Sequence, residues 1–224
     1  RWLSEITAGA RAAFDPHGMA ISVGHTTLGA ALQIGFTITG ALGGPPITHA
    51  GGQPGDVLIL TRPLGSGTLL AADMALEAKG EDLAALFSVL VQPSADAARA
   101  LKTAHAMTDV TGFGLAGHLM TILRASGLRA QIALDALPLF DGVADLLEKG
   151  TRSTLWDANR AGAPVALPEA PRAAVIHAPQ TAGGLLAAVS PNTAETCLQD
   201  LLDLGHRAAI IGHLTVGEPH IRWL

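Results

Sequence analysis

The chain has 224 residues, of which 49% are hydrophobic and 15% charged, with a formal net charge of −5; this excludes a disordered segment and supports one large domain or two small ones. Without basic clusters, with five Phe, three Trp and no Tyr, it offers neither the charge nor the stacking surfaces of a nucleic-acid binder. No apolar run reaches the ~18 residues of a membrane span, and the single cysteine, Cys197, excludes an internal disulfide and suits a reducing cytoplasm.

Arg1-Trp-Leu-Ser-Glu-Ile6 lacks the basic-then-apolar layout of a signal peptide; the sequence starts with Arg1 rather than methionine and opens directly in a helical pattern, so an excised domain or a processed fragment is expected. Leu3, Ile6, Ala10, Ala13 and Phe14 recur at helical spacing, and Asp15-Pro16 stops them. Met19 to Val23 predicts a buried strand ending in Gly24-His25-Thr26-Thr27. Ala31 to Leu42 predicts a second strand, closed by Gly43-Gly44-Pro45-Pro46. Residues 43–55, rich in Gly and Pro, form a linker, so the expected organisation is a first segment of residues 1–42 and a domain of residues 43–224.

Asp56 to Thr61 predicts a strand, followed by a turn at Pro63 to Gly67 and a helix from Leu69 to Lys79 with Gly80 as its stop. Two helices, Asp82 to Leu90 and Ser94 to Lys102, flank Pro93. A strand at Ala106 to Val110, a turn holding Gly112 and Gly114, and a helix from Leu115 to Leu123 come next. Ala130 to Leu134 predicts a strand, and Phe140 to Lys149 a helix ended by Gly150. Residues 151–171 predict a surface loop, Arg172 to His177 a strand, and Leu185 to Val189 another. The clearest helix has Ser190 as N-cap and Pro191 at its first position. It carries Ala194, Cys197, Leu198, Leu201 and Leu202 on one face. Strands at Ala208 to Leu214 and His220 to Trp223 complete a layered mixed α/β pattern.

The turn after Asp109 admits three readings. Gly112, Gly114 and Gly117 match the glycine spacing of a dinucleotide site, with Asp135 21 residues beyond Gly114. Alternatively, Asp109 is a magnesium ligand and the Thr111-Gly112-Phe113-Gly114 backbone cradles phosphate at a helix N-terminus. The third reading is a capped turn without a ligand. Gly24-His25-Thr26 offers donors at a strand end, or is a plain polar turn. Gln180 to Gly184 either presents backbone donors to an anion or is a plain β-turn. The nine histidines lack tight zinc spacing, and Cys197 on an apolar helix face reads as packing.

Four of these segments together resemble the selenophosphate synthetase (selenide, water dikinase) family: Asp109-Val-Thr-Gly-Phe-Gly-Leu-Ala-Gly-His118, Pro179-Gln-Thr-Ala-Gly-Gly-Leu-Leu186, Pro54-Gly-Asp-Val-Leu-Ile-Leu-Thr-Arg-Pro-Leu-Gly65 and Gly24-His25-Thr26. The resemblance implies an α+β fold, a layered mixed sheet flanked by helices, like the C-terminal domain of the aminoimidazole-ribonucleotide synthetase superfamily. It also implies an ATP-dependent homodimeric enzyme that uses Mg2+ and converts selenide to selenophosphate, releasing AMP and phosphate. By the same resemblance Asp109 is a metal ligand, and Gly24, His25, Thr26, Thr111 and Gly112 contact ATP. Residues 1–42 correspond to the tail of an ATP-binding domain whose reactive cysteine or selenocysteine, lysine partner and most aspartates are not in this chain. Val23 and Leu28 stand where the family has a glycine and, nearby, an acid, and Ala182 where it more usually has Ser. The expectation is a C-terminal portion that is not fully active alone. The alternative is a non-catalytic nucleotide-binding or dimerisation module fused to another enzyme.

Overall fold

In the computed structural model, which describes residues 2–224, the chain divides into two units, Arg1–Pro45 and Pro46–Leu224. The first unit holds helix α1 (Trp2–Phe14), followed by a 3-10 turn over Asp15–His17. Gly18, at φ 66°, takes the left-handed conformation that ends the turn. None of the α1 residues is buried, and Phe14 meets Phe36 edge to face at 5.7 Å.

The two strands expected between residues 19 and 42 do not form: that stretch has no regular structure. Leu32, Ile34, Phe36 and Ile38 keep the two-residue alternation of a half-buried strand, yet each is more than half exposed. A strand is defined by a neighbour that takes its backbone N–H and C=O groups, and no strand among the described residues pairs with this segment.

In the second unit six strands form one sheet: β1 (Val57–Leu60), β2 (Ala106–Asp109), β3 (Leu128–Ile132), β4 (Leu185–Val189), β5 (Ala209–Val216) and β6 (Ile221–Trp223). Their spatial order is β2-β4-β1-β5-β3-β6. All neighbours are antiparallel except β3 and β6, and the β1–β5 register shifts at Leu58/Ile59. Alternating side chains serve two cores. Leu58, Leu60, Leu186, Ala188 and Leu214 point to the larger. Ile59, Ala187 and Val189 point to the smaller, where Cys197 is also buried. The larger core is closed by helices α2 (Ser66–Met74), α3 (Gly80–Leu90), α5 (Gly114–Ser126), α6 (Val143–Glu148) and α7 (Trp156–Gly162). The smaller is closed by α4 (Ala95–Ala100) and α8 (Pro191–Asp203). This is the expected mixed sheet flanked by helices.

Gly80, expected to end a helix, instead opens α3; the preceding helix stops earlier, where Leu76 turns to φ 60°. Residues 172–177, expected as a strand, lie in a 3-10 helix, Pro171–His177, whose last five residues are buried. A short apolar run reads the same in a buried strand and a buried helical turn, and Pro171 at the first position favours the latter. Helix α7 occupies part of the expected loop. Its Trp156 is buried and donates Nε1–H to Ala174 O at 2.7 Å, which docks α7 on the 3-10 helix.

Candidate functional site

The segments of the second unit singled out from sequence converge at one end of β2 and β4. Antiparallel pairing sets Asp109 opposite Leu185. The Val110 N–H then donates to Gly184 O at 2.9 Å, and Thr111 O accepts from the Gln180 N–H at 2.9 Å and the Gly114 N–H at 3.0 Å. The approach is close enough that a Cβ on Gly183 would lie 1.8 Å from Val110 O. Gly114 has φ +68°, and a Cβ there would meet three backbone atoms of residues 176–178 at 2.9 Å, so both turn and packing demand glycine.

The Pro54–Gly65 segment joins this corner through Gln180. The buried Oε1 of Gln180 accepts from the N–H groups of Gly65 (3.0 Å) and Ser66 (3.2 Å) and from the Ser66 hydroxyl (3.1 Å), while its Nε2 donates to Ala178 O. That carboxamide caps the start of α2. Ser66 Oγ in turn accepts from the Thr181 N–H at 2.9 Å. The Gln180 and Thr181 N–H groups are therefore engaged within the fold and are not free to meet an anion. Buried Arg62 donates to Ala182 O at 2.8 Å and to Gln92 O. Burial lowers its pKa, and the nearby Asp96 charge opposes that effect.

The Asp109 turn is different. Asp109 is exposed, Thr111 half-buried, and Gly112 and Phe113 exposed. The Thr111 N–H donates to His118 Nε2 at 3.0 Å, so that nitrogen carries the lone pair and the ring proton sits on Nδ1. Burial lowers the His118 pKa; the Asp109 charge raises it and His49 lowers it. The N–H groups of Gly112 and Phe113 have no acceptor among the described residues, and they precede the N-terminus of the 13-residue helix α5. Unpaired N–H groups at a helix start favour an anion.

Beside this turn, a cleft of about 520 Å³ runs between α5 and α7, lined by Gly112, Phe113, Gly117, Arg124, Leu155 and Asn159. Asn159 donates to Gly112 O at 2.9 Å and to His177 O at 3.0 Å. The His177 ring is fully buried, edge to face with Trp156 at 5.6 Å, and neither ring nitrogen has a partner among the described residues. Burial, helped by the Arg160 charge, pushes its pKa down to about 4.

Gly24, His25 and Thr26 lie in the first unit, exposed and without regular structure, and none of their side chains makes a hydrogen bond among the described residues. Among the described residues no group of three or more His, Cys, Asp or Glu could hold a metal ion. Asp109 is thus a single carboxylate. That suits Mg2+, which commonly takes one or two carboxylates and completes its shell with phosphate oxygens and water, and it does not suit an all-protein metal cage. The dinucleotide reading fails on topology. Such a site needs β2 and the following strand β3 parallel and side by side, whereas three strands separate them and Asp135 is exposed on a 3-10 turn after β3. Sequence reasoning missed Asn159, which belongs to no motif, and gave His118 no role, although its place four residues into α5 lets the ring reach back to Thr111.

The chain matches the family "AIR synthase related protein, C-terminal domain" over residues 53–223. It is 35% identical to the selenide, water dikinase of Myxococcus xanthus over 98% of this chain and 65% of that protein. It is also 35% identical to the selenide, water dikinase of Geobacter metallireducens over 97% of this chain and 66% of that protein. The chain therefore spans just under two thirds of the length of these relatives. Among solved structures, thiamine-monophosphate kinase from Stenotrophomonas maltophilia shares the fold with a TM-score of 0.58 and 18% identity, over 79% of this chain and 52% of that one. The E. coli hydrogenase maturation protein HypE does so with a TM-score of 0.55 and 23% identity, over 80% of this chain and 48% of that one. No helix among the described residues is long and apolar enough to cross a membrane.

Proposed function

Because the chain belongs to the AIR synthase related protein family, as its C-terminal domain on the selenophosphate synthetase side, we propose that it is the C-terminal portion of a selenophosphate synthetase-like enzyme, contributing one wall of a site for magnesium and ATP. The observation that carries this reading is the Asp109 turn: one exposed carboxylate beside the unpaired N–H groups of Gly112 and Phe113 at the start of α5. A carboxylate alone repels phosphate, and a divalent cation shared between them removes that repulsion.

In this reading Asp109 holds Mg2+, the unpaired Gly112 and Phe113 N–H groups receive phosphate beside Thr111, and Gly24, His25 and Thr26 contribute to nucleotide binding. The metal, when bound, offsets phosphate charge. Asp109 supplies an acceptor in its shell, and His118, by accepting the Thr111 N–H, fixes where the turn begins. The reaction proposed for a polypeptide that also carries the remaining third of the relatives' length is ATP, selenide and water to selenophosphate, AMP and phosphate, in a cytoplasmic homodimer. The 224-residue chain alone is not expected to complete it.

The test is a thermal shift of the purified chain with ATP, with and without Mg2+. A magnesium-dependent stabilisation that Asp109→Asn abolishes supports the reading. No shift in either protein overturns it and favours a non-catalytic dimerisation module. The homodimer is checked separately by the mass in solution at micromolar concentration.

A further inference from the structure

Three consecutive peptide units form the Asp109 turn, and each is held by a different device. The Val110–Thr111 unit is fixed through its N–H, which His118 Nε2 accepts. The Thr111–Gly112 unit is fixed through its oxygen, which accepts from the Gln180 and Gly114 N–H groups. The Gly112–Phe113 unit is fixed through its oxygen by the Asn159 carboxamide at 2.9 Å, and the other hydrogen of the same Nδ2 goes to His177 O at 3.0 Å.

In a planar trans peptide the C=O and the following N–H point in opposite directions. Holding Gly112 O against α7 therefore turns the Phe113 N–H to the opposite side. Gly112 has no side chain to restrain that peptide: a Cβ there would meet no atom within 4 Å, and glycine has the widest backbone range of any residue. Asn159 itself has little freedom, being buried with both amide hydrogens engaged.

We propose that Asn159 is a positioning residue of the phosphate-binding turn: by gripping Gly112 O it sets the orientation of the Gly112–Phe113 peptide, and so the direction in which the Phe113 N–H meets a phosphate-bearing ligand. This rests on the reading of the turn as a phosphate site. Asn159 touches no ligand. It acts through the peptide it holds, from a helix that carries none of the ligand-binding motifs.

Asn159→Asp is the informative variant, since it keeps the shape and replaces two donors by acceptors facing two carbonyl oxygens. Urea unfolding, the 15N–1H resonance of Phe113 and the Kd for magnesium ATP by calorimetry are measured in parallel. The expected result is a folded protein whose Phe113 resonance moves or broadens and whose Kd rises about tenfold or more, as for loss of an oriented charge-assisted hydrogen bond. An unchanged Phe113 resonance overturns the proposal, as does a loss of affinity no larger than the unfolded fraction explains. If the wild-type chain binds no nucleotide, the reading of the turn as a phosphate site fails, and the proposal falls with it as a statement about a ligand. The Phe113 resonance still reports separately on whether Asn159 orients that peptide. Should the variant not fold, the through-hydrogen-bond coupling between Asn159 15Nδ2 and the Gly112 carbonyl 13C decides in the wild-type protein: its presence supports the grip and its absence overturns it.

Discussion

Acid should weaken this domain through His177, by an amount that can be worked out. Its ring is fully buried, both nitrogens lack partners, and desolvation, with the Arg160 charge adding to it, holds the pKa at about 4 against the ordinary 6.5. In the unfolded chain the same ring regains its ordinary value. Between those two values the unfolded state binds a proton that the folded state refuses, so stability rises with pH across the window. The contribution is fully present above pH 6.5 and is lost as pH falls, by about 2 kcal/mol at pH 5 and about 3 kcal/mol at pH 4. Urea unfolding at pH 7.5, 6 and 5, in the wild type and in His177→Leu, isolates this ring from carboxylates that titrate over the same range. Leucine is close in size and cannot titrate, so the difference in stability between the two proteins should shift in favour of the variant by about 2 kcal/mol from pH 7.5 to pH 5. Parallel pH profiles would refute the reasoning and mean that the folded protein gives the imidazolium a partner or water.

Substitutions at two further positions probe the corner beneath the candidate site. Gly183→Ala places a methyl 1.8 Å from Val110 O. Because the clash is with backbone that cannot rotate away, a loss of about 3 kcal/mol is expected in urea unfolding, and an unchanged midpoint would mean that the two segments are not apposed. Gln180→Ala leaves the buried Gly65 and Ser66 N–H groups without their acceptor, with an expected loss of about 2–4 kcal/mol. Gln180→Glu should lose less, since a carboxylate still accepts at the start of α2, and equal losses in the two variants would argue against a capping role.

Legibility from sequence followed the locality of the forces. Short continuous apolar runs bounded by turn residues found β1 and β4, and the Ser190-Pro191 start found α8, where Ser190 does accept from the Asn192 N–H. The Asp109 turn was placed correctly between strand and helix because glycine spacing and a helical apolar stripe are both short-range signals. Misreadings arose where distant chain decides. Ala173 to Ile176 is apolar enough for a strand, but it follows Pro171 and its Ala174 carbonyl is held by Trp156, and it lies in a 3-10 helix. Leu32 to Ile38 has a strand's alternation without a paired neighbour. Asn159 lies 47 positions from the carbonyl it holds, and no local pattern marks such a contact.

The strand order carries a consequence for how the chain acquires its shape. β1 lies between β4 and β5, and the Leu185 N–H reaches Thr61 Oγ1 across 124 positions. The sheet's central ladder therefore cannot close until the chain has been made through β5. At translation rates of about 5–20 residues per second, the apolar Val57–Leu60 segment waits on the order of ten seconds for both partners. Loop closure over such a span also slows folding itself. The helices α2 to α7 are all encoded before β4, so every strand pair of the sheet forms only after they have been made.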